Sequence, residues 1–140
     1  MVEIIKVERK DWDNLSGFAH LTVFNEKRDS SFDRCDYALL AEEKDTLIGY
    51  VTVRELDAES AYWQFGGAFP PGVKSHKIVE AHLLGVHYMS SRYKRITTLI
   101  ENDNYACLKL SFHHGFKIIG CRMFGGQVLV ELLNDFGGDK

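Results

Sequence analysis

Proline and cysteine are scarce in this chain of 140 residues, and it has no long apolar run. Two prolines and a hydrophobic content of 45% predict a folded protein and not a disordered one. The three cysteines are an odd number in unrelated contexts, with no Cys-x-x-Cys pair, which predicts reduced thiols in a cytoplasmic protein. No apolar run approaches the roughly 20 residues that cross a bilayer, so no membrane contact is expected.

Neither sign of charge dominates the sequence. It contains 17 Lys and Arg residues against 20 Asp and Glu residues, which gives a formal net charge of −3. This balance provides no overall attraction for nucleic acid, so no nucleic-acid partner is predicted. The length and apolar content predict a single domain over residues 1–140.

The spacing of apolar residues divides the chain into strands and helices. Alternation predicts strands, and a period near 3.6 predicts helices. The hairpins imply antiparallel neighbours, and the connections through helices imply parallel ones, so the fold is predicted as α/β with a mixed central sheet of about seven strands and flanking helices. Strands are predicted at residues 2–7, 37–42, 47–56, 61–65, 95–101, 116–124 and 127–133, and helices at 11–24, from about 75, and at 102–115.

Local signals refine the ends of several elements. Ser75 is a favourable N-cap for the second helix. A helix after Asn102 or Asp103 is predicted to end at Gly115, and the polar residues 25–36 are predicted to form a surface connection. One buried helix face is predicted at the i, i+4, i+7 and i+10 positions Val79, Leu83, Val86 and Met89.

Two glycines at residues 66–67 follow the aromatic strand 61–65 and predict a bulge or a close backbone approach. Trp63 and Phe65 would share one face of a regularly alternating strand. We interpret that face as core. The alternative is that these aromatic side chains line a substrate groove.

Histidines occur in positions that raise the possibility of a metal site or a nucleophile. His76 and Glu80 lie one helical turn apart, and residues 113–114 are both histidines. A metal site needs three or four converging ligands, and a Ser–His nucleophile needs a third orienting group. The spacing of Ser111 and His114 supplies no such group, so neither a metal site nor a Ser–His nucleophile is predicted.

The segment 104–116 carries the most specific pattern in the chain. Asn104 is followed eleven residues later by Gly115 and Phe116, with Cys107 and Leu110 between them. With the order of elements over residues 37–133, this segment resembles the GNAT superfamily of N-acetyltransferases. The resemblance implies the acyl-CoA N-acyltransferase fold and transfer of an acetyl group from acetyl-CoA to the amine of a small molecule or a peptide.

The resemblance also implies a site for the pyrophosphate of acetyl-CoA at the loop after the fourth strand. In the family, small residues there let backbone N–H groups converge on the phosphates at a helix N-terminus. Pro70 occupies the position of the family's Arg or Gln, and Asn104 is expected to help hold the cofactor arm. The phosphate-binding positions are Gly72, Val73, Lys74, Ser75 and His76.

Catalytic positions follow from the same resemblance. Backbone N–H groups near Phe65 and Gly66 would polarise the thioester carbonyl. Gln64 and Glu55 are the candidates for the base that deprotonates the amine, directly or through water. Ser111 stands where the family has a proton-donating tyrosine, and a serine hydroxyl is a far weaker acid.

Pro70 and Ser111 both depart from the family's pattern, and these departures favour a second hypothesis. Small phage-encoded proteins of the same fold, associated with virion head assembly or internal virion structure, are similar in length and show comparable departures. In this alternative, the chain keeps the fold without the chemistry. It would then act through protein partners in the host cytoplasm or the virion.

Overall fold

The computed structural model describes residues 1–24 and 35–137, so most of the predicted connection 25–36 lies outside the described residues. Strands and helices follow one another in the order that the sequence predicts, with one additional short helix after the fourth strand. The elements are β1 (Glu3–Glu8), α1 (Arg9–Phe24), β2 (Tyr37–Glu43), β3 (Thr46–Glu55), β4 (Ser60–Ala68), α2 (Pro70–Lys74), α3 (Lys77–Ser90), β5 (Arg95–Glu101), α4 (Tyr105–His113), β6 (Lys117–Phe124) and β7 (Gln127–Asp135).

The strands form one sheet in the order β1-β2-β3-β4-β5-β7-β6. β4 and β5 are parallel because α2 and α3 connect them, and the other neighbouring strands are antiparallel. The predicted mixed sheet of seven strands is thereby confirmed. Lys44 and Asp45 turn the β2–β3 hairpin with φ of 47° and 67°, and two glycines at residues 125–126 turn the β6–β7 hairpin with φ of 57° and 81°.

Helices cover both faces of the sheet. Leu39 of β2 packs in a cluster with Val86 of α3, whereas its neighbour Ala38 packs in a cluster with Trp12 of α1. Successive residues of a strand point to opposite faces, so α3 and α1 lie on opposite sides of the sheet. α4 lies on the α3 side, where its Leu108 joins the same cluster as Val86.

The buried face of α3 differs from the predicted one. Val86 and Met89 are buried as predicted, but Val79 and Leu83 are 42% and 37% exposed. Ala81 and Gly85 are buried in their place. The physical reason is the aromatic core of the sheet: the indole of Trp63 lies against Gly85, at 3.6 Å from where a Cβ would stand.

The start of α3 also differs from the prediction. His76 in the left-handed conformation, with φ of 60°, is the N-cap residue, and it makes no side-chain capping bond. Ser75, the predicted N-cap, belongs to the end of α2. Its Oγ donates a hydrogen bond to the Pro71 carbonyl oxygen at 2.6 Å.

A bulge in β4 changes which side chains share a face. Val51 pairs with Gly66 and Val53 pairs with Trp63, so Gln64 and Phe65 together lie opposite one residue of β3. The predicted bulge therefore exists, but it precedes the two glycines.

The extra residue reverses the alternation of side chains along β4. Trp63 packs with Val86 and Phe116 on the α3 side, and Phe65 packs against the cluster of Tyr50 and Phe69 on the α1 side. The prediction that Trp63 and Phe65 share a face is wrong.

Gly72 fixes α2 against the sheet. It is buried, and a Cβ there would meet the carbonyl oxygen of Ile48 well inside van der Waals distance. The same carbonyl accepts a hydrogen bond from the Phe69 N–H at 2.9 Å. Backbone therefore packs on backbone at this point, and a residue with a side chain does not fit.

We expect Gly72→Ala to lower the free energy of unfolding by about 1–3 kcal/mol, because α2 must move away from β3 to make room. Gly85→Ala is the matched control. Its Cβ would make ordinary contact with Trp63, and alanine favours a helix over glycine by up to about 1 kcal/mol. Urea unfolding of both variants measures the difference. Equal stabilities of the two variants would contradict this account of α2.

Candidate active site

The parallel pair of β4 and β5 separates after a short stretch of pairing. Pairing runs from Ser60 with Arg95 to Trp63 with Thr98, where the Thr98 Oγ1 donates to the Trp63 carbonyl oxygen at 3.0 Å. Beyond this point the strands diverge, and a cleft of about 1110 Å³ opens between them. Side chains of α3 and α4 form part of its wall.

Thr52 holds the bulge that bends β4 away from β5. Its side chain is completely buried, and its Oγ1 accepts a hydrogen bond from the Phe65 N–H at 3.0 Å and donates to the Phe65 carbonyl oxygen at 3.3 Å. The Phe65 N–H is therefore already used within the sheet, and the prediction that it polarises a thioester carbonyl is not supported.

Of the two predicted backbone donors, Phe65 and Gly66, the N–H of Gly66 remains as a candidate. Gly66 lines the cleft one residue after the bulge. Because N–H groups of successive strand residues point to opposite edges, its N–H points away from β3, which the Phe65 N–H faces. A Cβ at this position would come within 2.7 Å of the Tyr50 carbonyl oxygen, so glycine is needed for the close approach of β3.

The structure brings six of the eleven predicted site residues to the cleft wall. These are Gln64, Phe65, Gly66, Val73, Asn104 and Ser111. Glu55 does not reach the cleft. It pairs with Ala61 at the other end of β4, and its Oε2 accepts a hydrogen bond from the Tyr93 hydroxyl at 2.7 Å. Gln64 is therefore the predicted base candidate that the fold places beside the cleft, but its neutral amide can only hydrogen bond to an amine or a water and cannot take a proton.

The predicted phosphate loop at residues 70–76 is folded into α2 and its C-terminal turn. Gly72 and Val73 donate to the Phe69 carbonyl oxygen at 2.9 and 3.2 Å, Ser75 donates to Pro71 at 3.1 Å, and His76 donates to Val73 at 3.3 Å. Gly72, Lys74, Ser75 and His76 do not line the cleft wall. Residues 70–76 therefore do not form an open loop with converging N–H groups in this structure.

α4 begins later than the sequence predicts, after Asn104 and not after Asn102 or Asp103, and it brings a hydroxyl and a thiol to the cleft. Asn104 is the N-cap residue, and its Oδ1 accepts a hydrogen bond from the Cys107 N–H at 3.3 Å. Ser111 is 2% exposed, and its hydroxyl hydrogen bonds to the Cys107 thiol. Burial raises the pKa of Cys107, so this thiol stays protonated at neutral pH.

His82 lies in the same wall and pairs with His114, a combination that the sequence analysis did not make. His82 of α3 and His114, just after α4, approach with their Nδ1 atoms 2.7 Å apart and their rings stacked at 4.9 Å. The edge of Trp63 contacts the His82 ring at 5.5 Å between centroids. The two histidines are 32 residues apart in the chain, and no sequence pattern relates them.

The histidine pair is held in the neutral form. Burial, and then the neighbouring His114, lower the pKa of His82 to about 4. Burial also lowers the pKa of His114, with smaller contributions from His113 and His87. A hydrogen bond between two Nδ1 atoms needs one proton, so one ring donates and the other accepts.

Two kinds of feature are absent from the described residues. Among residues 1–24 and 35–137, no three His, Cys, Asp or Glu side chains are arranged to hold a metal ion. Within the same ranges, no helix has both the length and the apolar character to span a bilayer.

Comparison with known proteins identifies the fold. No protein-family model and no curated protein matches the sequence. A GNAT-family acetyltransferase from Streptococcus pneumoniae matches in structure with a TM-score of 0.73 and 15% identity, covering 98% of this chain and 100% of that one. The chain has the GNAT acetyltransferase fold.

Two further acetyltransferases with this GNAT fold have known acceptors. The ribosomal-protein-S18-alanine N-acetyltransferase from Escherichia coli matches with a TM-score of 0.74 and 10% identity, over 100% of this chain and 97% of that one. Mutant forms of the spermidine/spermine N-acetyltransferase from Vibrio cholerae match with a TM-score of 0.72 and 15% identity, over 97% and 95% of the two chains.

We expect Thr52→Val to lower the free energy of unfolding by about 1–3 kcal/mol, because the buried Phe65 N–H loses its acceptor. Thr46→Val, at the exposed start of the same strand, is the matched control and should change stability by less than about 0.5 kcal/mol. Urea unfolding, with amide hydrogen exchange of Phe65, measures both effects. Unchanged exchange at Phe65 in Thr52→Val would show that Thr52 does not hold the bulge.

The pKa of His82 also predicts how stability depends on pH. Because this pKa is lower in the folded chain than the usual 6.5, the unfolded chain binds more protons between pH 6.5 and about 4, and stability falls as the pH falls. From pH 7 to pH 5 we expect His82 to account for a loss of about 2 kcal/mol.

Urea unfolding at the two pH values tests this prediction. His82→Gln should lose less stability than the wild type on acidification. His87→Gln, which removes an exposed histidine from the same helix, should behave as the wild type does. The same loss in His82→Gln as in the wild type would contradict a buried neutral His82.

Proposed function

We propose that this protein transfers an acetyl group from a thioester donor of the acetyl-CoA type to an amine. The observation that carries the proposal is the cleft between β4 and β5. The bulge at Gln64 and Phe65 opens it, and its wall brings together backbone of β4 with polar side chains of α3 and α4. The neighbours in structure that act on spermidine or on a protein alanine support an amine as acceptor.

The donor lies along the open edge of β4 in this proposal. Pairing with β5 ends at Trp63, so the following residues of β4 as far as Ala68 expose a strand edge to the cleft. An extended arm that carries amide groups can pair with such an edge as an added strand would. Gly66 then offers its N–H to the thioester carbonyl, where negative charge develops during attack.

His82 positions the amine in this mechanism. Its ring is neutral at pH 7 and does not repel the acceptor, and in the tautomer whose Nδ1 donates to His114 its Nε2 accepts a hydrogen bond from an amine N–H. A ring with a pKa of about 4 is too weak a base to take the proton of an alkylammonium group, whose pKa is roughly 10. The acceptor amine therefore has to reach the cleft already neutral. The hydrogen bond to His114 fixes the orientation of the His82 ring that receives this amine.

Ser111 stands at the position of the family's proton-donating tyrosine, and Cys107 is its hydrogen-bond partner. Their hydroxyl and thiol are joined by a hydrogen bond in the cleft wall, and burial keeps the thiol protonated. They hydrogen bond to the leaving thiolate sulfur in this proposal, and the proton that the attacking amine loses passes to this thiolate, which leaves as a thiol. A thiolate needs little assistance to leave, because the pKa of a thiol is about 8.5.

Acetylated product, measured by mass spectrometry with acetyl-CoA at millimolar concentration, tests the proposed function. An alkylamine should react about tenfold faster per pH unit between pH 7 and 9, because its neutral fraction rises by that factor. An arylamine is neutral throughout this range, so its rate should stay flat. Absence of product with both amines would contradict the proposal.

Two tryptophan variants control for the place of reaction. Val79→Trp puts a large ring on an exposed position that lines the cleft, and it should abolish product formation. Leu83→Trp adds the same ring one turn further along α3, at an exposed position outside the cleft wall, and it should leave the rate unchanged. Equal rates in the two variants would place the reaction elsewhere.

A second candidate function is partner binding without catalysis, as in an assembly protein. The edge strand β6 favours it, because Ile118, Ile119, Met123 and Phe124 are between 52% and 76% exposed. Absence of product in the assay, together with self-association in ultracentrifugation that Met123→Lys removes, would favour this function over the first.

A further inference from the structure

The segment at residues 70–76 would have to bind the phosphates of a nucleotide-bearing donor, yet its donors are already used. Pro70 and Pro71 have no N–H. The N–H groups of residues 72, 73, 75 and 76 all donate to carbonyl oxygens of the same segment or of Phe69. The remaining one belongs to Lys74, inside α2. A pyrophosphate would find no converging N–H groups here unless α2 unfolded.

The charges beside this segment point to the same conclusion. The Lys77 Nζ at the start of α3 lies 3.3 Å from a carboxylate oxygen of Glu43 and 3.9 Å from one of Glu80. Hydrogen bonds from the chain's amino terminus and from Lys77 lower the pKa of Glu43, so this carboxylate stays charged at neutral pH. Two carboxylates therefore hold this lysine, and they would repel a phosphate placed beside it.

The cleft, by contrast, suits the apolar and amide-bearing part of a thioester donor. Five residues of open β4 edge, 64–68, extend over roughly 16 Å at 3.3 Å per residue. Val73, Ile78 and Val79 line the same cleft beside that edge. These features match an extended chain with amides and methylene groups, which is the chemistry of a pantetheine arm.

We propose that the cleft recognises its donor by the acyl-pantetheine arm and that the nucleotide phosphates add nothing to the binding affinity. The inference rests on the proposed function, because it concerns the donor of that reaction. It defines the donor class as acyl-pantetheine thioesters in general. Such an arm occurs on coenzyme A and also on the serine of a carrier protein, and this cleft would accept either.

Isothermal titration of the full chain with two ligands tests the proposal. S-acetyl-pantetheine has no phosphate, and acetyl-CoA has the complete nucleotide. We expect dissociation constants within about threefold of each other. We also expect little change between 50 mM and 500 mM salt, because screening weakens contacts to a phosphate and leaves apolar contacts unchanged. Acetyl-CoA binding more than about tenfold tighter than S-acetyl-pantetheine would overturn the inference.

Two variants locate the binding. Lys77→Gln should leave the affinity for acetyl-CoA unchanged, whereas Val79→Trp should remove binding of both ligands. Weaker binding of acetyl-CoA alone in Lys77→Gln would show a phosphate contact and would also overturn the inference.

The failures of the two proposals are distinguishable. Binding of neither ligand to the wild type would remove the thioester donor, and with it both proposals. Tight, salt-dependent binding of acetyl-CoA alone would leave the proposed acetyl transfer intact and overturn this inference. An acylated carrier protein is the third ligand and separates the two sources of the arm. Binding as tight as that of S-acetyl-pantetheine supports the inference. Failure of the carrier protein to bind contradicts the claim that the cleft accepts acyl-pantetheine thioesters in general.

Discussion

The hydrogen bonds between the Thr52 side chain and the Phe65 backbone are the contacts on which the site depends. They hold two residues of β4 opposite one residue of β3, and this bends β4 away from β5. The bend opens the cleft, places Trp63 and Phe65 on opposite faces and leaves Gly66 beside the opening. One buried hydroxyl thus connects the packing of both faces to the shape of the site.

The sequence predicts the order of strands and helices well, because these elements depend on local patterns. The two hairpins, which join the predicted strands 37–42 and 47–56 and the predicted strands 116–124 and 127–133, are examples. The GNAT fold follows from that order together with the segment 104–116. Gln64, Phe65, Gly66, Val73, Asn104 and Ser111 could be assigned to the cleft wall by the same route.

The sequence could not predict features that depend on contacts between distant segments. A bulge that begins before the glycines reverses the facing of Phe65, and its holding partner Thr52 lies 13 residues away. His82 and His114 meet because α3 and α4 lie side by side on one face of the sheet. Glu55 looked suitable as a base in the sequence, but the direction of β3 carries it to the paired end of β4, where Tyr93 binds it.

The packing of Gly72 on the Ile48 carbonyl has a consequence for how this chain can evolve. A nucleotide-binding loop at residues 70–76 would need new backbone donors in place of Pro70 and Pro71, and it would need α2 to unwind. Each change alone adds no binding, because the N–H groups of residues 72, 73, 75 and 76 still donate to carbonyl oxygens of the segment or of Phe69. Substitution of either proline alone therefore supplies no converging donors for a nucleotide phosphate, so a nucleotide site at this segment requires several changes together.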